Sequence, residues 1–141
     1  MQILNKKAKF EYVIGSDGLE AGLSLSGGEA KSIRNNRADL SQAVVRILNN
    51  EAYLINANVP VDGAVNYNST RMRKLLLHRQ EITQLVTKAK QQKLTLVPLK
   101  LYTKGHLVKL WLALGKPKRR FEKKESIKRQ DIERDLEREL S

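Results

Sequence analysis

Runs in which apolar and polar residues alternate constrain the fold of this chain most, because such alternation marks strands with one buried face. The runs FEYVI, at 10–14, and LEAGLSL, at 19–25, flank the turn-forming letters GSDG. The runs AVVRIL and EAYLIN flank Asn49-Asn50, and Asn tolerates the left-handed backbone of a two-residue turn. The runs LTLVPLKLY and HLVKLWLAL flank TKG. Three consecutive β-hairpins are therefore predicted.

The remaining segments predict two helices, one short strand and one long loop. A short helix should begin at Ser26 or at one of the two glycines that follow it. Residues 81–92 repeat apolar residues with helical spacing and predict the clearest helix. Residues 75–77 predict a short strand, and residues 59–70 predict a loop. Pro98 cannot donate a backbone hydrogen bond, which places it at a strand edge or a bulge.

Hairpin pairs without a βαβ rhythm predict a mainly β fold. The expected architecture is an OB-like antiparallel β-barrel with two or three helices, because this is a common small barrel that binds oligonucleotides. We assign the barrel to residues 1–114, a length that can bury an adequate core. Residues 115–141 are strongly charged and are expected to form a tail that stays flexible until a partner orders it. A partner that made the tail helical would align Ile132, Leu136 and Leu140 as a narrow apolar stripe.

The charge of the chain predicts a polyanionic partner. Lys and Arg number 27 against 15 Asp and Glu, which gives a formal net charge of +12. Such a field attracts RNA or DNA, with an anionic membrane surface as the competing partner. The first ten residues are polar, and the apolar run 107–114 is interrupted by Lys109 and is too short to span a membrane. We therefore expect a cytoplasmic protein without a membrane association.

Residues that carry chemistry are scarce. The chain has no Cys and two His, so disulfides, thiol catalysis and Cys-based zinc sites are excluded. Neither a nucleophile–base spacing nor a phosphate-binding Gly-Lys-Ser/Thr loop is present. The sequence therefore predicts a binding protein, with no enzymatic activity, no metal and no cofactor.

The junction RKLLLHRQEI, residues 73–82, is the first candidate contact site. Arg71, Arg73 and Lys74 could contact phosphates at a barrel rim, and His78 could stack on an unpaired base. The alternative is that the leucines pack in the core and that His78 makes ordinary strand-end hydrogen bonds. Spacing alone leaves both readings open.

Two further groups of polar residues are candidates. Glu20, on the polar face of its strand, would either accept a hydrogen bond from a base amino group or act as an ordinary surface carboxylate. Lys31 and Arg34 lie three residues apart and would share one face of the short helix.

Four motifs together resemble the small protein B family, the tmRNA-binding proteins of bacterial trans-translation. They are LEAGLSLSGGEAKSIR, RMRKLLLHRQEI, TLVPLKLY and GKPKRRFEKKESIKRQD, in the order and spacing of the family. The resemblance covers about Asn5 to Asp131. It implies an OB-like barrel that binds the tRNA-like domain of tmRNA. It also implies delivery of tmRNA, with elongation factor Tu bound to the same RNA, to stalled ribosomes for rescue and peptide tagging.

The resemblance also implies which residues touch RNA. The family surface corresponds here to Glu20, Leu76 and His78, with the basic positions Lys31, Arg34, Arg71, Arg73 and Lys74. The tail is implied to be flexible in solution and helical in the mRNA channel of the small ribosomal subunit, beside the decoding centre. Its implied contact residues are Gly115, Lys116, Lys118, Arg119, Arg120, Phe121, Glu122, Lys123, Lys124, Ile127, Lys128 and Arg129. The letters EKK at 122–124 stand where the family has Asp-Lys-Arg.

Two other functions remain as alternatives from the residues alone. A generic single-strand RNA or DNA binder would use the same barrel but would need no tail. A structural adaptor would use the tail as a coiled coil, although three apolar positions are too few for stable heptads. We therefore expect a monomer.

Overall fold

The computed structural model describes residues 2–119. Its elements in chain order are β1 (Gln2–Leu4), α1 (Ala8–Glu11), β2 (Tyr12–Leu23), α2 (Gly27–Arg34), β3 (Val44–Leu48), β4 (Glu51–Ile55), β5 (Arg73–Leu76), α3 (Arg79–Gln92), β6 (Thr95–Lys104) and β7 (Leu107–Pro117). None of the described helices is long and apolar enough to cross a membrane.

All seven strands join one antiparallel sheet in the order β1-β6-β7-β2-β5-β4-β3. The sheet curls so that β3 approaches β6. Its edge strands β1 and β3 do not pair with each other, so hydrogen bonds do not close it into a complete barrel. The prediction of a mainly β, antiparallel fold with two or three helices is confirmed, with the barrel left open on one side.

The concave side of the sheet encloses the core. Helices α2 and α3 add Ile33 and Ile82 to it. Among its most deeply buried members are Ala21, Leu40, Ala52, Leu54, Leu75, Leu101, Leu110 and Leu112. Strand residues that alternate with these core positions point to the outer face of the sheet.

Two of the three predicted hairpins are confirmed. β3 and β4 are joined by Asn49 and Asn50, whose φ values of 51° and 62° are those of a tight hairpin turn. β6 and β7 are joined at Gly105, whose φ is +62°. The short helix is capped by Ser26, as expected, and the helix predicted at 81–92 is α3. Pro98 lies at the bulge of β6, also as predicted.

The first predicted hairpin, over 10–25, is wrong. Phe10 belongs to α1, and residues 12–23 form one long strand, β2. Both halves of β2 pair with β7, and the register shifts between Ile14 and Gly18. The letters GSDG therefore form a bulge within the strand instead of a turn between two strands.

The last strand is longer than the sequence predicted. Gly115 and Lys116, which we placed in the tail, lie inside β7 opposite Ile14 and Val13. The backbone N–H of Lys118 donates to the carbonyl of Glu11 at 2.8 Å. The core domain thus extends past 114. The tail residues from Arg120 onward lie outside the described residues.

Candidate nucleic-acid interface

The outer face of β2, β5 and β7 brings several predicted RNA contacts together. Gly22 of β2 pairs with Leu76 of β5 on one side and with Lys109 of β7 on the other. Directly opposed residues share a face, and so do residues two apart along a strand. Glu20, two residues from Gly22, therefore lies on this face, which we call the Glu20 surface.

Leu76 and His78 project from the edge of the Glu20 surface. Leu76 is 57% exposed, although it lies in a strand of the sheet. His78 is exposed at the residue that precedes α3, and its backbone N–H donates to Glu81 Oε1 at 2.9 Å. The alternative that all three leucines are core is thus wrong for Leu76, while Leu75 is buried.

Glu20 is held by a neighbouring tyrosine. The Tyr102 hydroxyl donates to Glu20 Oε2, and Lys104 Nζ lies 3.6 Å from Glu20 Oε1. The Tyr102 hydrogen bond, together with the charges of Lys104 and Lys109, holds the pKa of Glu20 below its ordinary value. Burial and the nearby carboxylate raise the pKa of Tyr102 to about 12. Glu20 is therefore an ionised acceptor in a fixed position.

Lys109 is a contact candidate that sequence reasoning missed. In the sequence it is conspicuous only as the charge that interrupts the apolar run 107–114. Its β7 position places it on the outer face, across Gly22 from Leu76 and diagonal to Glu20. The alternation of β7, with Val108 and Leu110 buried, would have indicated an outward Lys109, but not its neighbours on other strands.

Helix α2 brings its cations toward the same end of the sheet. Arg34 Nη2 donates to the carbonyl of His106 in the β6–β7 turn at 2.7 Å. A shallow groove beside this turn is lined by Gly22, Leu76, His106 and Lys109 among others. Lys31, also exposed, lies one turn before Arg34 on α2. The predicted pair of helix cations thus adjoins the Glu20 surface.

Lys74 and Arg71 are less free than the sequence suggested. Lys74 shares the outer face with Leu76, and its Nζ lies 3.1 Å from Glu51 Oε1 in an exposed ion pair. Such a pair is weak enough in water to exchange for a phosphate. Arg71 is 39% exposed, and its guanidinium is bound to the buried carboxylate of Glu29.

The prediction that Arg73 contacts a phosphate is wrong. Its side chain is 1% exposed and points into the core. Its guanidinium donates to Glu29, to the Tyr67 hydroxyl and to the carbonyls of Ala57, Ser69 and Arg71. With its donors used in this way, Arg73 ties the 59–70 loop to β5 instead of facing solvent.

Glu29 is the anion that makes this burial possible. Its side chain is fully buried and accepts hydrogen bonds from Arg71, Arg73, the Tyr67 hydroxyl and the Ser26 backbone N–H. Although burial opposes ionisation, these donors lower the pKa of Glu29 to about 2. The spacing Ser26-x-x-Glu29 signals a capping box in the sequence, but the arginine partners lie more than 40 residues away.

The described part of the chain, residues 2–119, can also be compared with the chemistry of a metal site. No three His, Asp or Glu side chains of that part lie together as a metal site would need. Of the predicted tail contacts, Lys118 and Arg119 are described after β7. Those from Arg120 to Arg129 lie outside the described residues.

Comparisons with known proteins place the chain in one family. The family model described as "SmpB protein" matches residues 2–141. The SsrA-binding protein of Mesoplasma florum is 47% identical over 135 residues, which cover 93% of this chain and 90% of the relative. The SsrA-binding protein of Enterococcus hirae is 42% identical over 139 residues, which cover 96% of this chain and 90% of the relative.

A solved structure agrees with these matches. Its description reads "tmRNA-SmpB: a journey to the center of the bacterial ribosome". It superposes with a TM-score of 0.68 at 36% identity and covers 89% of this chain and 94% of its own. Similarity of sequence and of fold along almost the whole chain leads to one conclusion: this chain belongs to the SmpB protein family.

Proposed function

We propose that the protein binds tmRNA through its tRNA-like domain and delivers it to stalled ribosomes for trans-translation. The assignment of this function to particular residues rests on one observation. The Glu20 surface combines an ionised carboxylate, an exposed leucine and lysines on one face of the sheet. The relatives are named SsrA-binding proteins, and the matched solved structure is described as tmRNA with SmpB. Their names and this surface point to the same ligand.

The surface can both hold RNA and select it. Lys109, Lys74 and the α2 cations supply positive charge for phosphates, which gives affinity but no choice of sequence. Leu76 and His78 supply an apolar side chain and an aromatic ring for unstacked bases or riboses. Glu20 accepts hydrogen bonds only, so it would recognise an amino group or a ribose hydroxyl.

The carboxylate also argues against a generic single-strand binder. A generic binder gains affinity from cations and aromatic rings, and an acid in the middle of its surface would repel phosphates. Here Lys104 and Lys109 flank Glu20, so the repulsion is reduced while the acceptor is kept. The carboxylate therefore lowers the affinity of the surface for RNA in general, but it allows the surface to recognise a defined RNA structure.

Several finer assignments belong to the proposal. The protein would act as a monomer in the cytoplasm, without catalysis of its own, and would meet elongation factor Tu through the shared RNA. The basic tail would enter the mRNA channel of the small subunit near the decoding centre, where RNA contacts would offset the entropy of ordering it.

A competition binding experiment tests the proposed function. Labelled tRNA-like domain of tmRNA would be bound to the full chain and challenged with bulk tRNA and with single-stranded RNA. Preferential retention of the tRNA-like domain is expected, and His78→Ala should weaken it about 5- to 150-fold, the range of one stacked base. Equal competition by any single strand would instead support the generic binder.

A further inference from the structure

A second groove opens on the outer face of the sheet, beyond Glu20 and away from Leu76. Its volume is about 430 Å³, within the usual range of small-ligand sites. Leu4, Ile14 and Trp111 form its apolar lining, and Lys6, Lys9 and Lys100 are the cations around it. No acidic residue is among the described residues that line it. None of the predicted RNA contacts lies in this groove.

Trp111 forms a rigid wall of the groove. A Cβ placed on Gly18 would lie 2.5 Å from Cζ2 of the indole, so the ring covers the space that a side chain at Gly18 would need. Gly18 lies at the bulge of β2, and the absence of a side chain there lets the indole ring pack directly on the backbone. Trp111 remains partly exposed toward the groove. The groove therefore offers an aromatic surface whose position is already fixed.

The charges around the groove favour a nucleotide as its occupant. An apolar floor with a cationic rim matches a base, which is flat and apolar on its faces, joined to an anionic phosphate. Lys6 and Lys9 are exposed, and Lys100 Nζ lies 5.4 Å from the centroid of the Tyr102 ring. A purely apolar peptide would leave these three cations without a partner.

The groove is also continuous with the Glu20 surface. Trp111 is the direct cross-strand partner of Glu20, so their Cβ atoms are about 5 Å apart. Lys100 leans on Tyr102, and Tyr102 holds the Glu20 carboxylate. An RNA bound at Glu20 would therefore lie directly beside Trp111.

We propose that this groove binds an unpaired nucleotide of the RNA held at the Glu20 surface, with its base stacked on Trp111 and its phosphates near Lys6, Lys9 and Lys100. The inference rests on the proposed function, because it assigns a second contact to the same RNA. It extends the interface from the edge formed by Leu76 and His78 to the opposite end of the sheet face, near β1.

Trp111 is the only tryptophan of the chain, so its fluorescence reports on the groove directly. The full chain would be titrated with the tRNA-like domain of tmRNA, with a gel shift run on the same samples. Saturable quenching of the emission at the Kd of the gel shift, with protection of the indole from iodide, is expected. A gel shift without any change in emission or iodide access would overturn the groove assignment and leave the proposed function standing.

Variants separate stacking from charge. Trp111→Ala should weaken binding about 5- to 150-fold, and Trp111→Phe, which keeps a ring, should weaken it less. Replacing Lys9 and Lys100 by Gln should make the slope of log K against log salt shallower by about 2. Val65→Ala, which alters an 84% exposed side chain of the 59–70 loop, serves as the control and should bind as the unmodified chain does.

The outcomes of these assays are distinct. Thermal melts would confirm that each variant is folded at the temperature of the binding assay. A folded Trp111→Ala that binds like the wild type, together with an unchanged salt slope for the lysine variant, would refute the groove. Quenching by an acidic peptide but not by RNA would assign the groove to a protein partner and overturn the inference. A chain that gives no gel shift with tmRNA would remove the proposed function and the groove with it.

Discussion

Replacing Glu29 by Gln should destabilise the domain more than any change of an exposed ion pair. The substitution keeps the size of the side chain but removes the charge that compensates Arg73, which is 1% exposed. A buried cation left without its anion costs about 3–5 kcal/mol. For a domain of this size the melting temperature should fall by roughly 10 °C or more. Thermal unfolding of Glu29→Gln at neutral pH measures the loss.

The pH dependence of the same pair provides a second measurement. The pKa of Glu29 falls from 4.5 to about 2 on folding, so the folded state binds its proton less readily than the unfolded state. Its contribution, about 3 kcal/mol, is complete above pH 4.5 and is lost as the pH falls toward 2. The difference in stability between the wild type and Glu29→Gln should therefore shrink over that interval.

The control for Glu29 is another carboxylate bound to an arginine. Asp62 accepts two hydrogen bonds from Arg37, at 2.6 and 2.9 Å, but its side chain is 83% exposed. Asp62→Asn should melt close to the wild type, because water screens the pair. If Glu29→Gln melts like Asp62→Asn, or if its deficit is the same at pH 3 and pH 7, the buried network does not hold the domain together.

Three further predictions follow from other parts of the molecule. Neutralising about four to six phosphates should give a slope of log K against log salt of roughly −3 to −5 for tmRNA binding, and a slope near zero would contradict a basic interface. Gly18→Ala should lower the free energy of unfolding by about 1–3 kcal/mol, because its methyl group collides with Trp111, whereas Gly27→Ala meets open space and should not destabilise in chemical denaturation. Deleting residues 120–141 should leave the melting temperature nearly unchanged, since β7 ends at Pro117, but should abolish peptide tagging on ribosomes stalled on a stop-less message. Normal tagging by the truncated chain would refute the role of the tail.

The strands were predictable from alternation, but the role of one glycine-rich segment was not. The letters GSDG suit a hairpin turn and a bulge equally well, because both need glycine at positions of unusual backbone geometry. What decides between them is β7, some 95 residues later, which is long enough to pair with both halves of β2. The residues around GSDG do not indicate how long a distant partner strand will be.

The candidate surface was predictable only in part, because the burial of one of its residues depends on a partner that is distant in the sequence. Glu20, Leu76 and His78 could be selected from family motifs, and they do lie on exposed or partly exposed positions. Arg73 looked like one more cation in a basic run, because burial of an arginine depends on a partner that the run does not contain. Glu29 supplies that partner from α2, 44 residues earlier.

Strand β5 departs twice from the rule that apolar residues are buried and charged residues are exposed. Its residues alternate between buried and exposed, yet the buried Arg73 is a cation and the exposed Leu76 is apolar. The cation can be buried because Glu29 neutralises it, and the result fixes the 59–70 loop against β5. The leucine has no such compensation within the described residues, so its exposure costs the isolated protein apolar surface left in water. A partner that covers Leu76 would recover that free energy. In the proposed function Leu76 contributes this apolar surface to the RNA-binding face, while the buried Arg73 fixes the neighbouring loop against the same strand.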